Sequence, residues 1–157
     1  MQKITPFLWF DNNAEEAVNF YTSIFKNSKI GNVSRYGEGG PGPAGSVMAA
    51  PFVLNGQDFI ALNGGPIFKF TEAISFVISC DDQEEIDYYW NHLSAGGKEQ
   101  QCGWLKDKFG LSWQVVPANM GQLMTNPDPK KAQRVMGAMM KMIKIDIKSL
   151  EDAAKDN

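Results

Sequence analysis

The chain has a single histidine, His92, and two cysteines, Cys80 and Cys102. These are the side chain types that do nucleophilic, acid–base or metal chemistry most readily near neutral pH. Their spacing leaves them little to work with. The cysteines are far apart and form no CxxC, so neither looks like part of a redox pair or a metal cluster. A cysteine or serine nucleophile needs a neighbouring base, and any Ser-His-Asp set would have to recruit His92. That residue stands one position before Leu93, beside an apolar helical stripe, and reads as a helix-edge residue. Cys80 and Cys102 read as small buried side chains.

No cofactor motif is present either. The run GEGGPGPAG (37–45) contains two prolines, and no strand and helix bracket it in the order a nucleotide-type cofactor turn requires. It reads as a mobile loop, with a lid as the secondary reading. A net charge of −3 over 157 residues argues against a general polyanion binder, and no apolar stretch approaches the roughly 20 residues that span a bilayer. The expectation is therefore no nucleic acid, no membrane, and reduced thiols in a cytoplasmic setting without a convincing signal peptide.

The elements that must position any site come as a repeat. Residues 7–26, FLWFDNNAEEAVNFYTSIFK, overlay 76–95, FVISCDDQEEIDYYWNHLSA, without a gap. Each copy is a short apolar run, an Asn/Asp cluster and an amphipathic helix. In the first, Asn12 or Asn13 is placed to cap a helix whose apolar face is Ala14, Ala17, Val18, Tyr21, Ile24 and Phe25. In the second, Asp81 or Asp82 caps, with Glu84 or Glu85 as reciprocal partner, and Ile86, Tyr89, Trp90 and Leu93 form the buried face. Asn55-Gly56 joins two strands as a tight hairpin, and a second hairpin turns at 108–110. Both halves read β-α-β-β-β. This gives an α+β fold with a duplicated domain over 1–127 (modules about 1–66 and 67–127) and a helical tail over 128–157. In the tail, Met136, Met139, Met140, Met142 and Ile143 have the spacing of a packed helix, and Asp146 is placed to cap IKSLEDAA.

The phrases PFLWFDNNAEEAVNFYTSIF, FIALNGGP, ISFVISCDDQEEIDYYW and CGWLKDKFGLSWQVVP resemble the vicinal oxygen chelate superfamily of glyoxalases, bleomycin-resistance proteins and extradiol dioxygenases. Within it they are similar to the PhnB-like branch, often labelled 3-demethylubiquinone-9 3-methyltransferase domain. The resemblance implies two modules whose strands curl into a half-open cup, completed in a homodimer. It also implies a place for a divalent ion, at Thr5 or Pro6, at Ala73 (or Ile74 or Ser75 in a shifted register) and at Gln114. None of these is an imidazole or a carboxylate, so no metal and no other cofactor is expected.

Strand alternation from Thr5 brings Phe7 and Trp9 inward, and alternation from Gln114 brings in Ser112 and Val116 while sending Trp113 to the helix layer. Asn63 and Trp104 are expected to line the same space. The candidate ligand-binding set is thus Thr5, Phe7, Trp9, Asn63, Trp104, Ser112 and Gln114, suited to a small, flat or aromatic molecule. A glyoxalase- or dioxygenase-like lyase or oxidoreductase is the alternative that kinship supplies. A methyltransferase finds no support in these residues.

Overall fold

The computed structural model describes residues 2–155; positions 1, 156 and 157 of the expected module and tail lie outside them. The chain divides into two compact units at Phe70/Thr71.

The first unit contains β1 (Phe7–Phe10), α1 (Ala14–Ile24), the short β2 (Lys29–Ile30) and β3 (Ser34–Arg35), then β4 (Val47–Leu54) and β5 (Gln57–Asn63). The sheet runs β1-β5-β4-β2, with β3 also on β4. β1 and β5 are parallel, Phe7 opposite Ile60, whereas β4 and β5 form an antiparallel hairpin. Its turn is Asn55-Gly56, both at positive φ (48° and 81°), the conformation this pair adopts at low cost. Leu8, Phe10, Phe52, Phe59 and Ala61 point to one face, where the apolar stripe of α1, including Tyr21 and Val18, covers them. The single strand expected near 30–36 is two short pieces separated by residues 31–33, and the register on β4 shifts within the second piece, between Ser34 and Arg35.

The second unit repeats this topology. β6 (Ser75–Cys80), α2 (Gln83–Ser94), β7 (Lys98–Glu99), β8 (Trp104–Lys106) and β9 (Ser112–Pro117) give a sheet of order β6-β9-β8-β7. Its first and last strands are again parallel, Ser75 opposite Ser112. The α2 cap forms as the sequence reads: Asp82 Oδ1 accepts from Glu85 N at 2.8 Å, and Glu85 Oε2 accepts from Asp81 N at 2.6 Å. Ile86, Tyr89, Trp90 and Leu93 are buried under it. The β8–β9 turn is organised by Asp107, whose carboxylate accepts from the Phe109 and Leu111 amides and from Trp113 Nε1. Both sheets are open and mixed, with the helices on one face of each.

The tail also belongs to the second unit; the short helix capped by Asp146 is present, but the methionine-lined helix expected before it stops short. α3 (Met120–Met124) comes first, then α4 (Pro129–Met139), and α5 (Ile147–Ala153), which Asp146 caps by accepting from Ser149 N. α4 ends at Met139, so Met140, Met142 and Ile143 lie beyond it. The carbonyls of residues 142–143 instead lie against the segment just before β8, accepting from Cys102 N and Gly103 N at 2.9 and 2.8 Å. The buried tail residues are Val135, Ile145 and Leu150, while Met136, Met140 and Ile143 are exposed. Gln83 of α2 holds the segment at both ends of its amide, donating to Ile145 O and accepting from Ile147 N, each at 2.9 Å. No helix among the described residues is long and apolar enough to cross a membrane.

Candidate functional site

Each sheet has one face under a helix and one open face, and alternation decides which side chains the open face receives. On the second sheet the helix side takes Phe76, Cys80, Leu105, Trp113 and Val115. The open side is organised in rows across the strands. One row is Val77, Gln114 and Trp104, in register on β6, β9 and β8. The next is Ser75, Ser112, Lys106 and Lys98, continuing to β7. Gln114 Nε2 donates to Ser75 Oγ at 2.9 Å, a diagonal bond between the rows. Lys106 Nζ is paired with Glu72, and that hydrogen bond is the main cause holding the Glu72 carboxyl below its ordinary range. Val77 is 56% exposed and Trp104 half-buried, so this face is an apolar shelf with a polar margin.

The first sheet presents Thr5, Phe7 and Trp9 on its open side, beside Ile60 and Leu62. Thr5 lines a cavity of about 390 Å³ with Lys29, Pro51, Val53, Asp58 and Ile60. Phe7 is 56% exposed. Trp9 is engaged already: its Nε1 donates to Gly65 O at 2.8 Å, and its ring meets Phe68 edge-on, centroids 5.0 Å apart. A Cβ on Gly64 would stand 2.4 Å from that ring, so the 64–68 segment is moulded to the indole.

Asn63 departs from the expectation that it lines the cup. It has the same parity as Phe59 and Ala61 on β5 and so belongs to the helix side. Its Oδ1 accepts from Ala14 N at 2.8 Å, and its Nδ2 donates to Val47 O at 3.0 Å. Of the two expected caps, Asn12 or Asn13, it is Asn13 that stands at the N-cap, and it makes no side-chain cap bond to α1. Asn63 therefore caps α1 from the far end of the module, a role that no local sequence signal announces. We expect Asn63→Ala to lose about 2 kcal/mol of stability, since an amide donor and a carbonyl both lose their partner. Asn63→Asp, which keeps only the acceptor, should fall between it and wild type in a urea titration.

The 37–45 loop is pinned rather than free. Tyr36 Oη donates to Asn63 O at 2.6 Å, Gly45 N donates to Tyr36 O, and Arg35 Nη1 donates to Gly45 O. Gly42 lies against the Tyr36 ring so closely that a Cβ would fall 2.5 Å from it. A loop wrapped on its own tyrosine in this way has little of the freedom a lid requires.

Cys80 and His92 are placed as their sequence contexts imply, whereas Cys102, expected to be buried, is only half-buried. Burial, followed by the carboxylates of Glu85, Asp81 and Asp82, pushes the Cys80 thiol up to about 12, which removes it as a nucleophile at neutral pH. Cys102 and Cys80 are both free thiols. His92 is exposed on α2, its Nδ1 2.7 Å from the Tyr88 carbonyl. No group of three or more His, Cys, Asp or Glu side chains that could hold a metal occurs among the described residues. Of the positions expected to face a glyoxalase-type ion in the second unit, Ala73 has no donor atom, and Ser75 (the shifted register) and Gln114 offer a hydroxyl and an amide hydrogen-bonded to each other. In the first unit taken by itself, Thr5 offers only a hydroxyl at its own expected position. Neutral oxygens of this kind do not fit a divalent ion that calls for imidazole or carboxylate.

The sequence profile of the 3-demethylubiquinone-9 3-methyltransferase family matches residues 2–116. The chain belongs to this family. The PhnB protein of Bacillus cereus is 44% identical, with a TM-score of 0.68 over 73% of this chain and 99% of that one. Protein PA1353 of Pseudomonas aeruginosa, 23% identical, superposes with a TM-score of 0.62 over 74% of this chain and 98% of that one. The fosfomycin-resistance protein FosX of Listeria monocytogenes, solved with Mn(II) and sulfate, is 16% identical with a TM-score of 0.53, covering 79% of this chain and 97% of FosX. At such identities PA1353 and FosX speak for the fold alone, which is the glyoxalase/bleomycin-resistance fold. No curated protein matches the chain. For this member of the 3-demethylubiquinone-9 3-methyltransferase family, the residues that sequence reading passed over are Lys106, Lys98 and Glu72. The signal was available: Lys106 is two positions from Trp104 and must share its face.

Proposed function

We propose that this protein binds a small, flat or aromatic organic molecule on the open face of its second sheet, without a resident metal, and that it works as a cytoplasmic homodimer. One observation carries the reading. Trp104, Gln114 and Val77 stand in register on adjacent strands, presenting an indole, an amide and an exposed aliphatic side chain to one side. Small-molecule sites are mainly apolar with a few placed polar groups, and this row has that make-up. The unpaired edges of both open sheets support the dimer, since bare edges are a liability that a second chain removes. The two free thiols support a reducing compartment.

The methyltransferase name of the family has no counterpart in the architecture. The glycine-rich loop joins β3 to β4, two antiparallel strands, and nowhere opens a helix from a parallel strand as a class I cofactor site does. A glyoxalase- or dioxygenase-like lyase or oxidoreductase is supported by fold kinship alone, and fold does not carry chemistry with it.

A thermal-shift screen of flat aromatic compounds against wild type and Trp104→Ala tests the binding reading. Compounds should raise the melting temperature of wild type and leave the variant unmoved; an identical response in both would move the site elsewhere. Elemental analysis tests the metal-free part. Purified protein should carry no stoichiometric Zn, Ni, Mn or Fe. One equivalent surviving dialysis, with a chelator abolishing an activity, would favour the lyase or oxidoreductase instead.

A further inference from the structure

We infer that the ligand of the second sheet carries a carboxylate, held at Lys106 and Ser112 beside the Trp104 shelf. The inference rests on the binding reading above and names the chemical class it would accept.

Ser112 supplies the first observation. It projects from the same side of β9 as Gln114 and Val116, is 0% exposed, and its Oγ has no hydrogen-bond partner among the described residues. A buried hydroxyl without a partner costs on the order of 1–3 kcal/mol and calls for an explanation. Its neighbours in register are Ser75 on one side and Lys106 on the other, each one strand spacing away, about 4.8 Å. Ser75 Oγ accepts from Gln114 Nε2, so the Ser75 hydroxyl keeps its own proton to donate. The row therefore offers donors and an ammonium, and none of its acceptors is hydrogen-bonded to Ser112 Oγ.

Charge supplies the second observation. Lys98 and Lys106 stand directly opposite one another on β7 and β8, a cross-strand arrangement of like charges that is unfavourable by itself. Glu72 answers Lys106 from the segment before β6, in a pair that solvent reaches from both sides. One carboxylate against two ammonium groups leaves the row net positive, and a ligand carboxylate would complete the balance. A planar two-oxygen acceptor can take a hydrogen bond from Lys106 Nζ through one oxygen and, once the cover over the fully buried Ser112 hydroxyl opens, from Ser112 Oγ through the other.

The third observation is adjacency. Trp104 and Lys106 are alternate residues of β8 and so point to the same side, roughly 7 Å apart along the strand. A flat ring on the indole thus places a ring-borne acid at the lysine. The chemistry recognised is that of an aromatic carboxylic acid, with Glu72 competing for the same ammonium.

Calorimetry with 2-naphthoate and its neutral analogue 2-naphthamide tests this on the full chain, with the Trp104 indole signal in a nitrogen-15 correlation spectrum reporting the place. Naphthoate should bind wild type about tenfold more tightly than naphthamide, the size of effect expected for a charged hydrogen bond. Lys106→Met should erase that preference, read as the ratio of the two affinities falling to about one. Glu72→Gln, an exposed substitution with little bearing on the fold, should tighten naphthoate several-fold and leave naphthamide unchanged. Equal affinity for both probes in wild type, or a preference that survives in Lys106→Met, overturns the carboxylate inference while the aromatic-binding reading stands. Neither probe moving the Trp104 signal at millimolar concentration overturns both.

Discussion

Replacing Trp113 by alanine lowers the unfolding free energy by about 3–5 kcal/mol, the usual range for truncating a buried large aromatic. Trp113 is 3% exposed, its ring lies against Phe76 at 5.6 Å between centroids, and Leu105 faces it across the strand pair. The loss goes beyond the cavity. Trp113 Nε1 donates to Asp107 Oδ2 at 2.9 Å, and Asp107 is itself buried in the turn it organises. Without the indole that carboxylate oxygen loses a donor where water cannot readily replace it, so the upper part of the range is expected. Trp113→Phe retains most of the volume but not the donor and should lose less. Gln114→Ala, one residue along on the open face, gives up a single half-exposed hydrogen bond and should cost about 1 kcal/mol. Denaturant midpoints for the three variants, at constant slope, make the comparison. Equal large losses in Trp113→Ala and Gln114→Ala would mean that the open face is packed core, and the site would go with it.

Gly103→Ala is expected to be the second severe change, at about 2–4 kcal/mol. Two penalties add there. Gly103 has φ 82°, in the left-handed region where an alanine is strained. A Cβ would also fall 2.9 Å from both Val115 O and Ile145 Cγ1, one a backbone atom of β9 and the other the buried anchor of the tail. Because Gly103 N donates to Ile143 O, the strain falls on the segment that carries α5. Limited proteolysis should therefore cut Gly103→Ala within 140–155 well before its global melting temperature. Protection there equal to wild type would show that the tail adapts without loss.

What was legible in the sequence was whatever depended on neighbours in the chain. The stripe Ala14, Ala17, Val18, Tyr21 and Ile24 needs only helical periodicity, the Asp82–Glu85 cap only a spacing of three, and the Asn55-Gly56 turn only two residues with tolerance for positive φ. Alternation also assigned Trp113 to the helix side and Gln114 to the open side of β9. What could not be seen was long-range hydrogen bonding. Asn63 caps a helix that begins at Ala14, and Gln83 clasps Ile145 and Ile147, partners that no periodicity links. The methionine run misled for the same reason: backbone pairing of residues 142–143 with Cys102 and Gly103 overrode its helical spacing. Asp107 left a faint local trace, an acidic residue three before Gly110, which is a turn signature, although its bond to Trp113 left none.

The parallel pairing of first and last strands has a consequence for how the chain matures. β1 meets its partner β5 only across about fifty intervening residues, and β6 meets β9 across nearly forty. During synthesis the earliest strand of each module therefore waits beside a helix for a mate that has yet to leave the ribosome. The β4–β5 hairpin, closed by two residues, forms on its own within microseconds and then offers an edge that captures the waiting strand. Chain entropy penalises the wider closure by only a few tenths of a kcal/mol more than the narrower one, so neither module gains a decisive head start once both are exposed. With closure costs so close, order of emergence is expected to set the sequence of events, the amino-terminal half maturing first.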